Sequence, residues 1–132
     1  EGFICGTAPP AEADPDVAED DFDVTPEFFE ERVWPVLAAR VPALERLRVE
    51  RAWAGHYDLN TADHNALVGP VPGVAGLYAA CGFSGHGIQQ APAMGRGLAE
   101  FAAFGRYVAM DLAPLALARL GEGRLVLERN VV

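Results

Sequence analysis

Apolar and polar positions alternate and cluster in a way that divides the chain into short elements. Residues 2–8 form a short, apolar, glycine-bounded run that predicts a buried strand. Residues 9–23 then carry seven carboxylates and three prolines. Like-charge repulsion and fixed proline dihedrals keep such a stretch solvated, which predicts a surface loop. Its spacing does not match the alternating aspartates of a calcium loop. Thr25 reads as an N-cap, with Pro26 at the first helical position and Glu27 complementing the helix dipole. Phe28, Phe29, Val33, Leu37 and Val41 recur at helical spacing, a stripe suited to packing; Pro35 should kink or interrupt this helix and Pro42 end it. Residues 47–56 alternate as a strand, with Leu47, Val49 and Arg51 on one face.

The second half follows a different rhythm. Residues 60–65 are a turn cluster, 66–71 a short strand, Pro72-Gly73 a turn, and 76–81 another apolar strand, which together imply a hairpin or neighbouring strands. Beyond Gly87, Met94, Leu98, Phe101 and Ala102 recur at helical intervals, and Pro92 places the main helix start near itself, after a tight turn over 85–90. A further helical piece is expected over 114–120, stopping at Gly121, and residues 125–128 read as a last strand or an extended tail. No internal repeat is present.

Composition narrows the classes of function. With 132 residues and 51% hydrophobic content, the chain is long enough for one core and short for two. A net charge of -9 with no run of basic residues opposes a nucleic-acid partner. All ten basic residues are arginine, which removes any lysine nucleophile or Schiff base from the chain. Cys5 and Cys81 lack metal or C-x-x-C spacing and read as buried free thiols, hence a reducing, cytoplasmic setting. No apolar run approaches the roughly 18 residues of a membrane span. The abrupt start at Glu1 reads as mid-sheet sequence, so the chain is expected to be a fragment.

The densest chemical signal is Gly82-Phe83-Ser84-Gly85-His86-Gly87, three glycines in six residues between a strand and a helix. Glycines allow close backbone approach and positive φ, and free amides at a helix start attract negative charge. Such a loop suits a ligand that becomes anionic, although glycine content alone leaves a plain tight turn open. Ser84 and His86 raise a serine-hydrolase alternative, but the G-x-S-x-G elbow fails where His86 replaces glycine. Gly95-Arg96-Gly97 lies inside a helical pattern and reads as close helix packing, not a dinucleotide loop. His56, His64 and His86 with Asp58 or Asp63 lack the spacing of a zinc site, so no metal is expected.

Taken together, Trp53-Ala54-Gly55-His56-Tyr57-Asp58, Thr61-Ala62-Asp63, Val68-Gly69-Pro70, Gly76-Leu77-Tyr78 and the run from Gly82 through Gln89-Gln90-Ala91-Pro92 to Gly95-Arg96 resemble the carboxy-terminal part of the D-amino-acid-oxidase superfamily of FAD enzymes. The tryptophan block, the Gln-Gln-Ala-Pro run and the ending Glu128-Arg129-Asn130-Val131-Val132 look most like the FAD-dependent oxidoreductase domain-containing proteins related to sarcosine dehydrogenases.

The resemblance implies an α+β fold. Residues 1–56 would supply a strand, acidic loop, helix and strand of an antiparallel-sheet substrate domain. Residues 57–132 would supply the strand, turn and helix that reach the flavin, all in one fragment of a two-domain enzyme. It implies FAD as cofactor, held here by Gly82, Phe83, Ser84, Gly85, His86, Gly87, Ile88 and Gln89, with the adenosine and pyrophosphate contacts in an amino-terminal Rossmann-type domain outside the chain. The implied reaction is oxidation of an amine, amino acid or N-methyl amino acid, with His86, Gln89 and His56 as substrate-facing candidates. The implied partners are that amino-terminal domain, the small-molecule substrate and an electron-acceptor protein.

Departures from the family pattern carry weight. His56 stands where sarcosine oxidases carry a flavin-tethering cysteine, and Gln89 where they carry a lysine for the substrate carboxylate. Ile4 stands where they carry a lysine assisting oxygen reduction, which favours a dehydrogenase over an oxidase. A non-catalytic assembly or scaffolding module on the same fold is the competing class.

Overall fold

Residue Pro35 has no N–H to donate and its ring crowds the carbonyl four residues earlier, so a regular helix running through it must adjust. The computed structural model, which describes residues 2–129, shows the adjustment. A short helix α1, Pro26–Phe28, widens into a π-helical turn, Phe29–Val33, in which the Trp34 amide reaches back to the Phe29 carbonyl. Helix α2, Trp34–Arg40, then continues with Pro35 in its first turn. The expected interruption is thus a change of pitch. Val41 turns extended at the end of α2, and Pro42–Arg46 forms a 3-10 turn. Thr25 has the extended backbone of an N-cap but makes no side-chain capping bond.

These elements belong to the first of two compact units, Glu1–His56 and Tyr57–Val132. In the first, Phe28, Phe29, Val33 and Leu37 are half-buried, as the stripe expects, while Val41 is exposed. Two expectations fail here. Residues 2–8 and 47–56 are not strands, because a strand exists only where a neighbour takes up its amides and carbonyls, and among the described residues none pairs with them. The acidic stretch is exposed coil apart from a 3-10 turn, Ala11–Ala13, and a turn at Glu19 and Asp20.

The second unit is built on a hairpin. Strand β1, Leu67–Pro70, pairs antiparallel with β2, Tyr78–Cys81, in the register Leu67 with Cys81 through Pro70 with Tyr78. Pro72 and Gly73 occupy the two central positions of the first turn, where Gly73 supplies φ 79° and the Val74 amide reaches the Val71 carbonyl at 3.2 Å. A two-stranded ribbon is marginal alone. Here helix α3, Gly87–Phe104, and a 3-10 turn, Ala113–Leu115, pack against it. Ala66, Val68, Met94 and Leu112 form the buried core, joined by Phe83, Leu98, Tyr107 and Leu115. Helices and a two-stranded antiparallel sheet together make the fold α+β.

Helix α3 begins five residues earlier than Pro92 suggests. The Gln90 amide donates to the His86 carbonyl at 3.1 Å and closes the first turn ahead of the proline, which the helix then carries inside it. Gly105 ends it in the left-handed conformation at φ 68°, its amide on the Phe101 carbonyl. The expected helix over 114–120 resolves into the 3-10 turn and a short α4, Ala118–Gly121. Residues 125–128 are an extended tail and not a strand. Cys81 ends β2 and is exposed, as is Cys5, which overturns the expectation of buried thiols and removes its support for a reducing compartment. Both remain free.

Candidate functional site

Three positions in a row-and-gap pattern set the course of the glycine-rich loop: Gly82 at φ 68°, Ser84 at φ 49° and Gly85 at φ 93°. Left-handed backbone is open to glycine and strained for serine, so Ser84 requires support from its surroundings. The segment beginning at Asp58 provides it. The Asp58 carboxylate accepts the Gly82 amide at 2.6 Å and the Phe83 amide at 3.2 Å, and the Asp58 carbonyl accepts the Ser84 amide at 3.4 Å. Ser84 Oγ accepts the Asn60 amide at 3.1 Å and donates to the Gly82 carbonyl at 3.3 Å.

The loop therefore has an inner and an outer half. Gly82 and Ser84 are buried and the Phe83 ring packs on the core. Gly85, His86 and Gly87 are half-buried, and Ile88 and Gln89 are exposed. His86 is the N-cap residue of α3 but makes no side-chain capping bond, so the first-turn amides of Gly87, Ile88 and Gln89 have no side-chain acceptor from it. Ser84 cannot serve as a hydrolytic nucleophile in this arrangement, being fully buried with its hydroxyl engaged on both sides. This removes the hydrolase alternative. His56 lies in the first unit, exposed, with its ring 4.9 Å from that of Phe22.

Behind the loop sits a buried polar network. Arg119 donates from Nε and Nη2 to the two oxygens of Asp63 at 3.0 and 2.8 Å, with both side chains fully buried. Nη1 donates to the Leu115 carbonyl and Nη2 also to that of Asn65. Asp63 also accepts the Asn60 side-chain amide at 2.7 Å and the backbone amides of Asn65 and Val126. Burial pushes the Asp63 carboxyl up, but the Arg119 hydrogen bond, the Val126 amide, the Arg119 charge and the Asn65 amide outweigh it and hold the group below its ordinary value. Among the described residues no buried side-chain polar atom lacks a partner.

Sequence reasoning singled out Asp58 and Asp63 only as weak metal candidates and did not anticipate Asn60 or Arg119. The available signal was Arg119 standing alone among Leu115, Leu117 and Leu120, a charge on an apolar piece that requires a partner. Among the described residues no group of three or more His, Cys, Asp or Glu is arranged to hold a metal ion. Among the same residues no helix is long and apolar enough to cross a membrane.

Comparison with known proteins places this chain in a family. Residues 1–101 match the family described as FAD dependent oxidoreductase (DAO). The chain is 47% identical over 128 residues to FAD-dependent oxidoreductase domain-containing protein 1 of Bos taurus, covering 97% of this chain and 26% of that protein. It is 45% identical over 130 residues to the Xenopus laevis protein of the same name, covering 98% and 26%. Against the Drosophila melanogaster homolog it is 38% identical over 109 residues, covering 83% and 21%. No solved structure matches. The chain belongs to the DAO family of FAD-dependent oxidoreductases, whose cofactor is FAD, and it spans about a quarter of the length of the curated relatives it matches. The ending that supported the resemblance, from Asn130 to Val132, lies outside the described residues.

Proposed function

We propose that the chain is the carboxy-terminal part of an enzyme that oxidises an amine, amino acid or N-methyl amino acid, with a dehydrogenase favoured over an oxidase. The observation that carries this reading is the two-sided loop: amides of residues 82–84 are taken up by Asp58, while the first turn of α3 starts without a side-chain cap. These residues fit one edge of a flavin. Bare backbone at Gly85 and Gly87 admits a flat ring closely, and amides of a helix start favour the negative charge that gathers on the ring's carbonyl edge.

When bound, FAD supplies the hydride acceptor. The chain's own part is placement and electrostatics. The amides of Gly85, Gly87, Ile88 and Gln89 orient the ring edge, with Gly82, Phe83 and Ser84 anchoring the loop beneath them. His86 and Gln89 face the ring or the substrate, and His56 is a further substrate-facing candidate. Gln89 donates hydrogen bonds without charge, so a substrate carboxylate draws its counter-charge from elsewhere. Arg119 does not provide it, being buried on Asp63. Ile4 carries no ionisable group at the position where the resemblance to sarcosine oxidases puts the oxygen-assisting lysine, which supports an electron acceptor other than oxygen.

A second reading is a non-catalytic assembly module on this fold. What favours it is exposed apolar surface on each unit, Phe3, Ile4 and Trp53 on the first and Ile88 and Phe104 on the second. The full-length protein separates the two. Under the enzyme reading it is yellow, with a flavin absorbance band, and Gly85→Val removes both flavin and turnover. A folded full-length protein that never takes up FAD overturns the reading.

A further inference from the structure

The first-turn amides of α3 have no acceptor within the helix, whereas the amides just before it are occupied. Residues 82–84 present three consecutive N–H groups, and a single residue takes all three: Gly82 and Phe83 go to the Asp58 carboxylate, and Ser84 to the Asp58 carbonyl. Two residues past Ser84, the His86 amide turns back to the Phe83 carbonyl at 2.9 Å. The loop cannot dictate this arrangement itself, since Gly82 and Gly85 are free to adopt many conformations and Ser84 sits in one that disfavours it. An outside holder is required. Asp58 is exposed, so its carboxylate is not there to satisfy burial. What it does is occupy the amides of residues 82–84, while His86 gives the first-turn amides of α3 no side-chain cap.

We propose that Asp58 is the positioning residue of the flavin-contacting loop. It acts through Gly82, Phe83 and Ser84 to set the direction in which Gly85 and the first turn of α3 are presented, without touching the ligand. This inference rests on the reading under Proposed function. Two ionic hydrogen bonds from one carboxylate are strong and directional, so losing them lets the glycines relax and blurs the amide array. Asn in place of Asp keeps one acceptor oxygen and loses the charge.

The test uses the full-length protein with FAD, comparing Asp58→Ala, Asp58→Asn, Gly85→Val and, as a remote charge control, Glu122→Gln. The readouts are the FAD dissociation constant, the visible circular dichroism of the bound flavin and the melting temperature of the protein without added FAD. Asp58→Ala is expected to weaken FAD binding about tenfold or more and to change the flavin dichroism. Asp58→Asn should fall between it and the wild type, with melting temperatures close together and Glu122→Gln unchanged. Wild-type affinity and dichroism in Asp58→Ala overturn the positioning role, provided Gly85→Val loses flavin. If Asp58→Ala does not fold, Asp58→Asn is judged by the same criterion. Should Gly85→Val bind FAD like the wild type, the loop itself is not the flavin contact, and the reading beneath the inference falls instead.

Discussion

Arg119 and Asp63 face each other in a two-point ion pair at 2.8 and 3.0 Å, fully buried, although 56 residues separate them in the chain. The pair joins the last helix to the turn that precedes β1. Because the Asp63 carboxylate also holds Val126 and its carbonyl accepts the Glu128 amide at 2.9 Å, it fastens the extended tail as well.

Removing one partner leaves a buried charge without its counter-ion. Arg119→Met is therefore expected to destabilise residues 57–129 by about 3–5 kcal/mol. Asp63→Leu should cost a similar amount, and the double variant less than the sum of the two because it strands neither charge. Native-state hydrogen exchange over residues 60–68 of the full-length protein checks this. Additive effects would show that the two side chains do not act as a pair.

Acid should loosen the second unit through two carboxylates. The backbone amides of Ala109 and Val108 and the side chain of Arg96 bring the Glu100 carboxyl from 4.5 down to about 2. A carboxyl lowered in the folded state contributes stability that is complete above its unfolded value and is lost as pH falls through the folded one. The Glu100 contribution thus declines between pH 4.5 and about 2, and Asp63, also lowered, adds a loss that starts below about 3.8. Urea unfolding followed by far-ultraviolet dichroism from pH 6 to 2 should show this slope, and Glu100→Gln should reduce it.

Two glycines on α3 should respond in opposite ways to the same substitution. A Cβ at Gly97 would overlap Leu112, meeting its Cγ at 3.3 Å and Tyr107 at 3.7 Å, whereas a Cβ at Gly95 meets nothing within 4 Å. Gly97→Ala should destabilise by about 1–3 kcal/mol. Gly95→Ala should stabilise by up to about 1 kcal/mol, through helix propensity alone. Thermal melts of the two variants should move in opposite directions.

The chain's periodicities determined the elements whose bonds are local. The Pro26 helix start, the Pro72-Gly73 turn and the apolar stripe of α3 all appear where residue type and spacing place them, because a helix or tight turn closes its hydrogen bonds within a few residues. The order of the motif blocks likewise identified the family. Long-range partners decided the rest. Residues 2–8 and 47–56 have strand-like patterns yet form no ladder, since pairing depends on a neighbour that no local pattern specifies. The partners of Asp58 and Arg119 lie 24 to 56 positions away, and only tertiary structure brings them together. A charge reveals its role through what it meets, and only the folded chain determines that.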